Sequence, residues 1–253
     1  LNITPDSFYA GSRLQDPVQA RSVADQMIRD GAHWIDVGGE SSRPGAAPVG
    51  LDEELTRVVP VLETLRGIPA RVSIDTYRAE TARRALALGA GMVNDITGLR
   101  GDPEMPGVVA AAGCECVVMH MLGAPMTMQR APQYNDVVDD ICAFFEERIA
   151  ALLREGVLEE RIWLDPGFGF GKTVDHNLEM LRRLREFTCF GRPLLIGTSN
   201  KSAIGSVLGA DLDDRTEGTA ATVASAIING ASGVRVHDVK TMALSLIHIS
   251  EPT

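Results

Sequence analysis

Asp75, Asn94 and Asp165 each close a short apolar run, and together they offer two carboxylates and one amide. A ligand with several N–H donors along one edge, such as a guanidine-like heterocycle, suits that set. The competing reading makes each of them a helix cap or turn former. Arg235 and His237 stand two residues apart after another apolar run, so their side chains leave one side of a strand. Lys201, in Ser199-Asn200-Lys201-Ser202, adds a cation able to bind an anion or a carbonyl oxygen. With Asn2 these residues describe an anion site. The alternatives are a rim salt bridge for Arg235 and a structural role for His237.

Two further segments carry chemistry. Residues 165–173 read Asp-Pro-Gly-Phe-Gly-Phe-Gly-Lys-Thr. The Gly-Lys-Thr end is not a phosphate loop, because that motif needs Gly five residues before Gly171 and Pro166 stands there. What remains is a carboxylate followed by a loop with two phenylalanines, a surface for a flat aromatic ligand or simply a strand-to-helix turn. Glu40-Ser41-Ser42-Arg43-Pro44-Gly45 has the composition of a binding loop or of a solvated turn. His120 and the Met-rich stretch 119–128 suit soft packing, against a ligand or within the core. His33, His120, His176 and His237 are scattered and show no metal-ligand spacing.

The elements that must position these groups follow a repeat. Eight apolar runs, at 1–2, 34–36, 72–75, 92–95, 117–120, 162–165, 194–199 and 234–237, each end in a polar residue. Helical patterning lies between them, at 17–30, 52–66, 78–88, 104–112, 136–155, 175–186, 216–229 and from 239. Asp16-Pro17 predicts a capped helix start, and Gly31, Gly89, Gly113 and Gly156 predict helix ends. Eight βα repeats predict a single (β/α)8 TIM barrel of the α/β class, with the site at the C-terminal ends of its strands. Long connections at 4–16, 38–51 and 122–134 fall on that face and are expected to be lids or binding loops. The first strand is expected to be truncated and the last helix incomplete or replaced. Residues 1–243 form the expected domain. Residues 244–253 form an atypical tail of foreign character, in which 246–253 reads as strand-like.

A chain of 253 residues suits one such barrel. With 23% charged and 45% hydrophobic residues it reads as an ordinary soluble globular protein. Its net charge of −10 argues against a nucleic-acid or anionic-membrane surface. No apolar run has transmembrane length and no leader is recognisable. Cys114, Cys116, Cys142 and Cys189 match no metal or redox spacing and read as buried reduced thiols of a cytoplasmic protein.

Nine motifs, in order along nearly the whole chain, resemble the dihydropteroate synthase family of pterin-binding barrels. They are Leu-Asn-Ile-Thr-Pro-Asp-Ser-Phe at 1–8, Asp-Val-Gly-Gly-Glu-Ser-Ser-Arg-Pro-Gly at 36–45, Ser-Ile-Asp-Thr at 73–76, Asn-Asp at 94–95 and Met-His-Met at 119–121. They continue with Leu-Asp-Pro-Gly-Phe-Gly-Phe-Gly-Lys at 164–172, Ser-Asn-Lys-Ser at 199–202, Gly-Thr-Ala-Ala-Thr at 218–222 and Arg-Val-His-Asp-Val at 235–239. The resemblance implies condensation of 6-hydroxymethyl-7,8-dihydropterin diphosphate with 4-aminobenzoate. It implies a pterin pocket of Asp75, Asn94, Met119, Asp165 and Lys201, with Asp36 supporting its floor. Asn2, Arg235 and His237 would hold the diphosphate, with Mg²⁺ bound through Asn2 and that group. Ser42, Arg43, Pro44, Phe170 and Ser202 would form the aminobenzoate site, and Lys201, Arg235, His237 and Asp75 the catalytic set.

The resemblance also implies a cytoplasmic homodimer acting on small molecules, without nucleic-acid or membrane partners. No Phe-Gly insertion of the kind found in drug-resistant members follows Lys201-Ser202, which implies sulfonamide sensitivity. Four positions depart from the common pattern: Tyr9-Ala10 for Ser-Asp, Ser42 for Thr, and Asn200 for Arg. Two other readings stay open on sequence: a pterin-dependent methyltransferase, and a non-catalytic pterin-binding paralogue motivated by Ala10.

Overall fold

The computed structural model describes residues 1–4, 16–43, 45–211 and 214–250. Five parallel strands pair in chain order: β1 (Trp34–Gly38), β2 (Arg71–Asp75), β3 (Met92–Asp95), β4 (Glu115–Met119) and β5 (Ile162–Asp165). A parallel bridge from Leu164 to Leu194 joins β5 to the pair β6 (Leu195–Ile196) and β7 (Gly233–Val234). At the other edge Asn2 bridges to Gly38, and Ile3 N donates to Gly38 O at 2.8 Å. The order is therefore eight parallel segments, one for each apolar run of the sequence. In β3, β4 and β5 most side chains are buried on both faces, as parallel strands sheathed by helices require. Ile35, Val37, Ile74, Val93, Cys116, Val118, Ile162 and Leu164 are all among the buried core.

The helices are α1 (Pro17–Arg29), α2 (Leu51–Thr64), α3 (Ala79–Ala87), α4 (Met105–Ala112), α5 (Val137–Arg154), α6 (Val174–Arg182), α7 (Ser202–Leu208), α8 (Thr216–Ile228) and α9 (Val239–Ser250). Their limits follow local chemistry. Asp16 Oδ1 accepts Val18 N–H at 2.9 Å, and Thr173 and His176 form a reciprocal capping box. Gly31 and Gly89, just past α1 and α3, take φ of 109° and 105°.

Five readings change. The helix predicted at 175–186 ends at Arg182, where Arg183 leaves helical geometry, and a 3₁₀ segment Leu184–Phe190 follows. Helix α7 lacks a side-chain cap and was not legible. The strand-like run after Leu246 is instead the end of α9, a helix that packs on α8 and buries Met242. Burial was overestimated for the thiols: Cys114 and Cys116 are buried, Cys142 is intermediate and Cys189 is exposed, all four free. Strands β6 and β7 are also shorter than their apolar runs. Beyond Ile196 the hydroxyls of Thr198 and Ser199 bond Thr222 and His237, and the chain turns at Lys201, whose N–H meets Thr198 O at 3.2 Å.

Candidate active site

The C-terminal strand ends open into one cavity of about 540 Å³, within the usual size for a small-molecule site. Register sets its floor. Asp75, the last residue of β2, lies opposite Asn94 of β3, and Met119, the last of β4, lies opposite Asp165, the last of β5. Asn2, Arg235 and His237 line the same cavity, as do Ser42, Arg43, Phe170, Lys201 and Ser202. Every described residue of the three predicted subsites is thus brought together. Pro44, Ala10 and most of the first long loop lie outside the described residues.

Arg235 organises the polar floor. Its Nε donates to Asp36 Oδ2 at 2.6 Å and its Nη2 to Asp75 Oδ2 at 2.9 Å. Ser73 Oγ donates to Asp36 Oδ1 at 2.6 Å, and Asn94 Nδ2 approaches Asp36 Oδ2 at 3.4 Å. The salt bridge and the cavity-lining role, set as alternatives on sequence, coexist. The two acids share one guanidinium unequally. Burial pushes the Asp36 carboxyl up, but the Arg235 charge and the Ser73 hydroxyl outweigh it and hold it below its ordinary value. Asp75 is pushed up to about 7, because burial and the neighbouring acids Asp36 and Asp95 outweigh Arg235.

The other titratable groups show the same desolvation. Burial raises Asp165 to about 6, even though its Oδ1 accepts Gly167 N–H at 2.7 Å. Burial and Arg235 lower Lys201 to about 8, and its ammonium sits 4.0 Å from the centroid of the Phe170 ring. Burial and Arg235 also keep His237 neutral, with its value near 3. The His237 ring is oriented by Ser199, whose Oγ lies 2.9 Å from Nδ1 and accepts His237 N–H at 3.3 Å.

An apolar wall faces this polar floor. Ile96, Met119, Met121, Met128 and Phe170 form a buried cluster separate from the main core, with Tyr77 against it. Met119 and Met128 thus line the cavity, while Met121 only packs in the cluster and Met126 is exposed. Both phenylalanines line the cavity; Phe168 packs into the main core behind it and Phe170 into this apolar cluster. The loop after β1 is anchored by Arg78, which donates to Glu40 at 2.7 Å and to Glu54 at 2.9 Å. Glu54 is buried and also accepts from Thr76 and Thr81. Arg215 and Thr216 line the cavity as well. Sequence reasoning missed them, since a lone Arg before a helix carries no pattern; its Nη1 donates to Asn200 O at 3.0 Å. Asn200 itself adopts φ of +58°, a conformation Asn tolerates better than most residues.

The geometry agrees with known proteins. A family model of pterin binding enzymes matches residues 1–237. The dihydropteroate synthase of Synechocystis sp. is 46% identical over 245 residues, 96% of this chain and 85% of that protein. A Yersinia pestis dihydropteroate synthase solved with a sulfonamide drug superposes with a TM-score of 0.94 at 41% identity, covering 97% of this chain and 90% of that one. The Clostridium difficile enzyme solved in the presence of pteroic acid gives 0.89 at 44% identity, covering 97% and 91%. The chain belongs to the dihydropteroate synthases.

As a dihydropteroate synthase it is a transferase of folate biosynthesis. It condenses 6-hydroxymethyl-7,8-dihydropterin diphosphate with 4-aminobenzoate to give 7,8-dihydropteroate and diphosphate. Among the described residues no three His, Cys, Asp or Glu side chains cluster as a metal site. No described helix is long and apolar enough to cross a membrane.

Proposed function

We propose that the cavity holds the pterin on Asp75, Asn94, Asp165 and Lys201 against Met119, the diphosphate on Asn2, Arg235 and His237, and the aminobenzoate on Ser42, Arg43, Pro44, Phe170 and Ser202. The observation that carries this reading is the convergence of two unlike sets in one cavity. An acceptor-rich edge of Asp75, Asn94 and Asp165 faces a donor-rich corner of Arg235 and His237. The first suits a ring with several N–H groups, and the second suits a leaving anion.

The chemistry follows from that division. The C–O bond between the pterin methylene and the diphosphate breaks, and its electron pair leaves with the diphosphate. Arg235 is a fixed cation at that corner. Neutral His237, turned by Ser199, contributes a hydrogen bond. The methylene cation is stabilised by the electron-rich ring and the nearby carboxylates. The arylamine lone pair then forms the C–N bond, and the nitrogen loses a proton after attack, so no strong base is required. Keeping water from the cation requires the loops at the strand ends to close over the bound substrates.

The donor set fits Mg²⁺ carried by the substrate. Asn2 offers a neutral oxygen, and Mg²⁺ is commonly bound by few protein oxygens together with substrate phosphates and waters. When bound there it would neutralise charge on the leaving diphosphate.

We also propose a cytoplasmic homodimer. Val207 and Leu208 on α7, Ile228 on α8, and Leu244 and Ile247 on α9 are exposed large apolar side chains on successive packed helices, and they support a self-association face. The free cysteines support a reducing compartment.

The test of the site assignment is Asp165→Ala, with pterin affinity measured by calorimetry. Loss of a charge-assisted contact should weaken binding by roughly 2–3 kcal/mol. Unchanged affinity would mean that the ring lies elsewhere.

A further inference from the structure

Lys172 is a buried motif residue to which the reaction gives no role. It is buried, with 3% of its surface exposed, and it does not line the cavity. Its ammonium has three N–H donors and meets three acceptors: His120 Nδ1 at 3.0 Å, Gly167 O at 3.0 Å and Phe170 O at 3.1 Å. With all three donors engaged inside the protein, Lys172 holds the fold and not a substrate phosphate. Burial lowers Lys172 to about 7; in its ammonium form it has no acceptor, so it donates to Nδ1 and the His120 imidazole accepts there. Burial and the Lys172 charge keep that imidazole neutral, with its value near 2.

The loop between Asp165 and Lys172 is shaped for this cation. Gly167, Gly169 and Gly171 take φ of 72°, 81° and 63°. A Cβ on Gly167 would lie 1.9 Å from His120 O, so only glycine permits the close approach of the two segments. The alternating backbone turns the carbonyls of Gly167 and Phe170 inward onto one ammonium.

Gly167 is the hub. Its N–H donates to Asp165 Oδ1 at 2.7 Å, its carbonyl accepts from Lys172, and the same carbonyl accepts Phe170 N–H at 3.1 Å. Other contacts brace the loop too: Asn177 Oδ1 accepts Gly169 N–H, Gln129 donates to Gly169 O, and Tyr134 donates to Gly171 O. None of these reaches both Asp165 and Phe170.

We propose that Lys172 is a positioning residue whose buried ammonium fixes Asp165 and Phe170 in one geometry, so that the pterin and aminobenzoate subsites are set by a single internal cation. This rests on the assignment of Asp165 and Phe170 above. It also explains why a Gly-Lys-Thr sequence that fails as a phosphate loop occupies this place: the loop's carbonyls bind the chain's own lysine.

The experiment compares wild type, Lys172→Met, Phe170→Ala, the double variant and Asp165→Ala, all with melting temperatures from the same preparations. Pterin Kd, aminobenzoate KM and kcat are measured. Lys172→Met should raise both the pterin Kd and the aminobenzoate KM, each roughly tenfold. In the Phe170→Ala background it should raise the aminobenzoate KM no further, because it acts through that ring. A folded Lys172→Met with both constants within about twofold of wild type, or fully additive effects, overturns the proposal. If Lys172→Met does not fold, His120→Leu removes one acceptor and leaves two. It should shift both constants in the same direction by less, and no shift in either overturns the proposal. Asp165→Ala separates the levels. If it weakens pterin and Lys172→Met does not, only the role of Lys172 fails. If it leaves pterin binding intact, the site assignment fails and takes this proposal with it.

Discussion

Asp75 and Asp165 hold protons to about 7 and about 6, because burial disfavours their charged forms. From about pH 4 to 7 the unfolded chain has released protons that the folded chain keeps. These two groups therefore make the ligand-free protein lose stability as pH rises through that window. A pterin that donates N–H groups to the carboxylates acts in the opposite sense. Its affinity should rise as pH climbs through 6 to 7, and binding at pH 6 should release protons. Calorimetry at pH 5.5 and 7.5, in buffers of different ionisation enthalpy, measures both; equal affinity without proton release contradicts the assignment.

Arg235→Ala should lower turnover on the order of 10²–10³-fold, the usual effect of losing one preorganised donor at a developing negative charge. If Arg235 touched only the diphosphate, binding of a pterin lacking diphosphate would stay unchanged in this variant. The contacts to Asp36 and Asp75 alter that expectation: both acids lose their cation, so pterin affinity should also fall. Normal turnover per folded molecule would end the anion-site role. The site was legible residue by residue because Asp75, Asn94, Asp165 and Arg235 each follow a visible apolar run. Their mutual bonds were not legible, since Arg235 lies 199 positions from Asp36 along the chain.

At the scale of elements, α2 and the start of α3 hold the loop that carries Ser42 and Arg43. Glu54 on α2 is 1% exposed and binds Thr76, Thr81 and Arg78. Removing one partner of a buried ion pair leaves the other uncompensated, a loss of about 3–5 kcal/mol. Glu54→Ala should show up to that loss in urea unfolding, since Thr76, Thr81 and Arg78 lose a buried partner, and it should raise the aminobenzoate KM because Arg78, which still pairs Glu40, loses the buried carboxylate that fixes it. A stability change under about 1 kcal/mol, with KM unaltered, would show that the loop is held by other means. None of this anchor was read from sequence, where Glu54 is one of three acids in the first turn of α2 and looks like an ordinary solvated start. Elements with strong local signals were read well: α1 from Asp16-Pro17, and β2 to β5 from continuous apolar runs. Elements made by tertiary contact were not. Helix α7 has no side-chain cap at its N-terminus, and α9, legible as a helix from 239, runs on as far as Ser250 through the segment whose Ile residues suggest a strand.

At the scale of the whole molecule, the exposed apolar side chains of α7, α8 and α9 predict self-association. Sedimentation at micromolar concentration should show a dimer for the unmodified chain and a monomer for an Ile228→Glu, Leu244→Glu double variant; a monomeric unmodified protein refutes that face. Aminobenzoate and sulfonamides should compete for the cavity wall of Ser42, Phe170 and Ser202. Steady-state inhibition should therefore be competitive with aminobenzoate, and uncompromised turnover at drug levels that silence a sensitive relative would contradict it.

The most direct measurement is product formation by the purified chain. It is supplied with the dihydropterin diphosphate, 4-aminobenzoate and Mg²⁺, and 7,8-dihydropteroate and diphosphate are both quantified. The account predicts that they appear one for one, and that Arg235→Ala suppresses both on the scale given above. Saturable pterin binding with neither product formed would contradict it, and would mark the chain as a binder whose cavity does not catalyse.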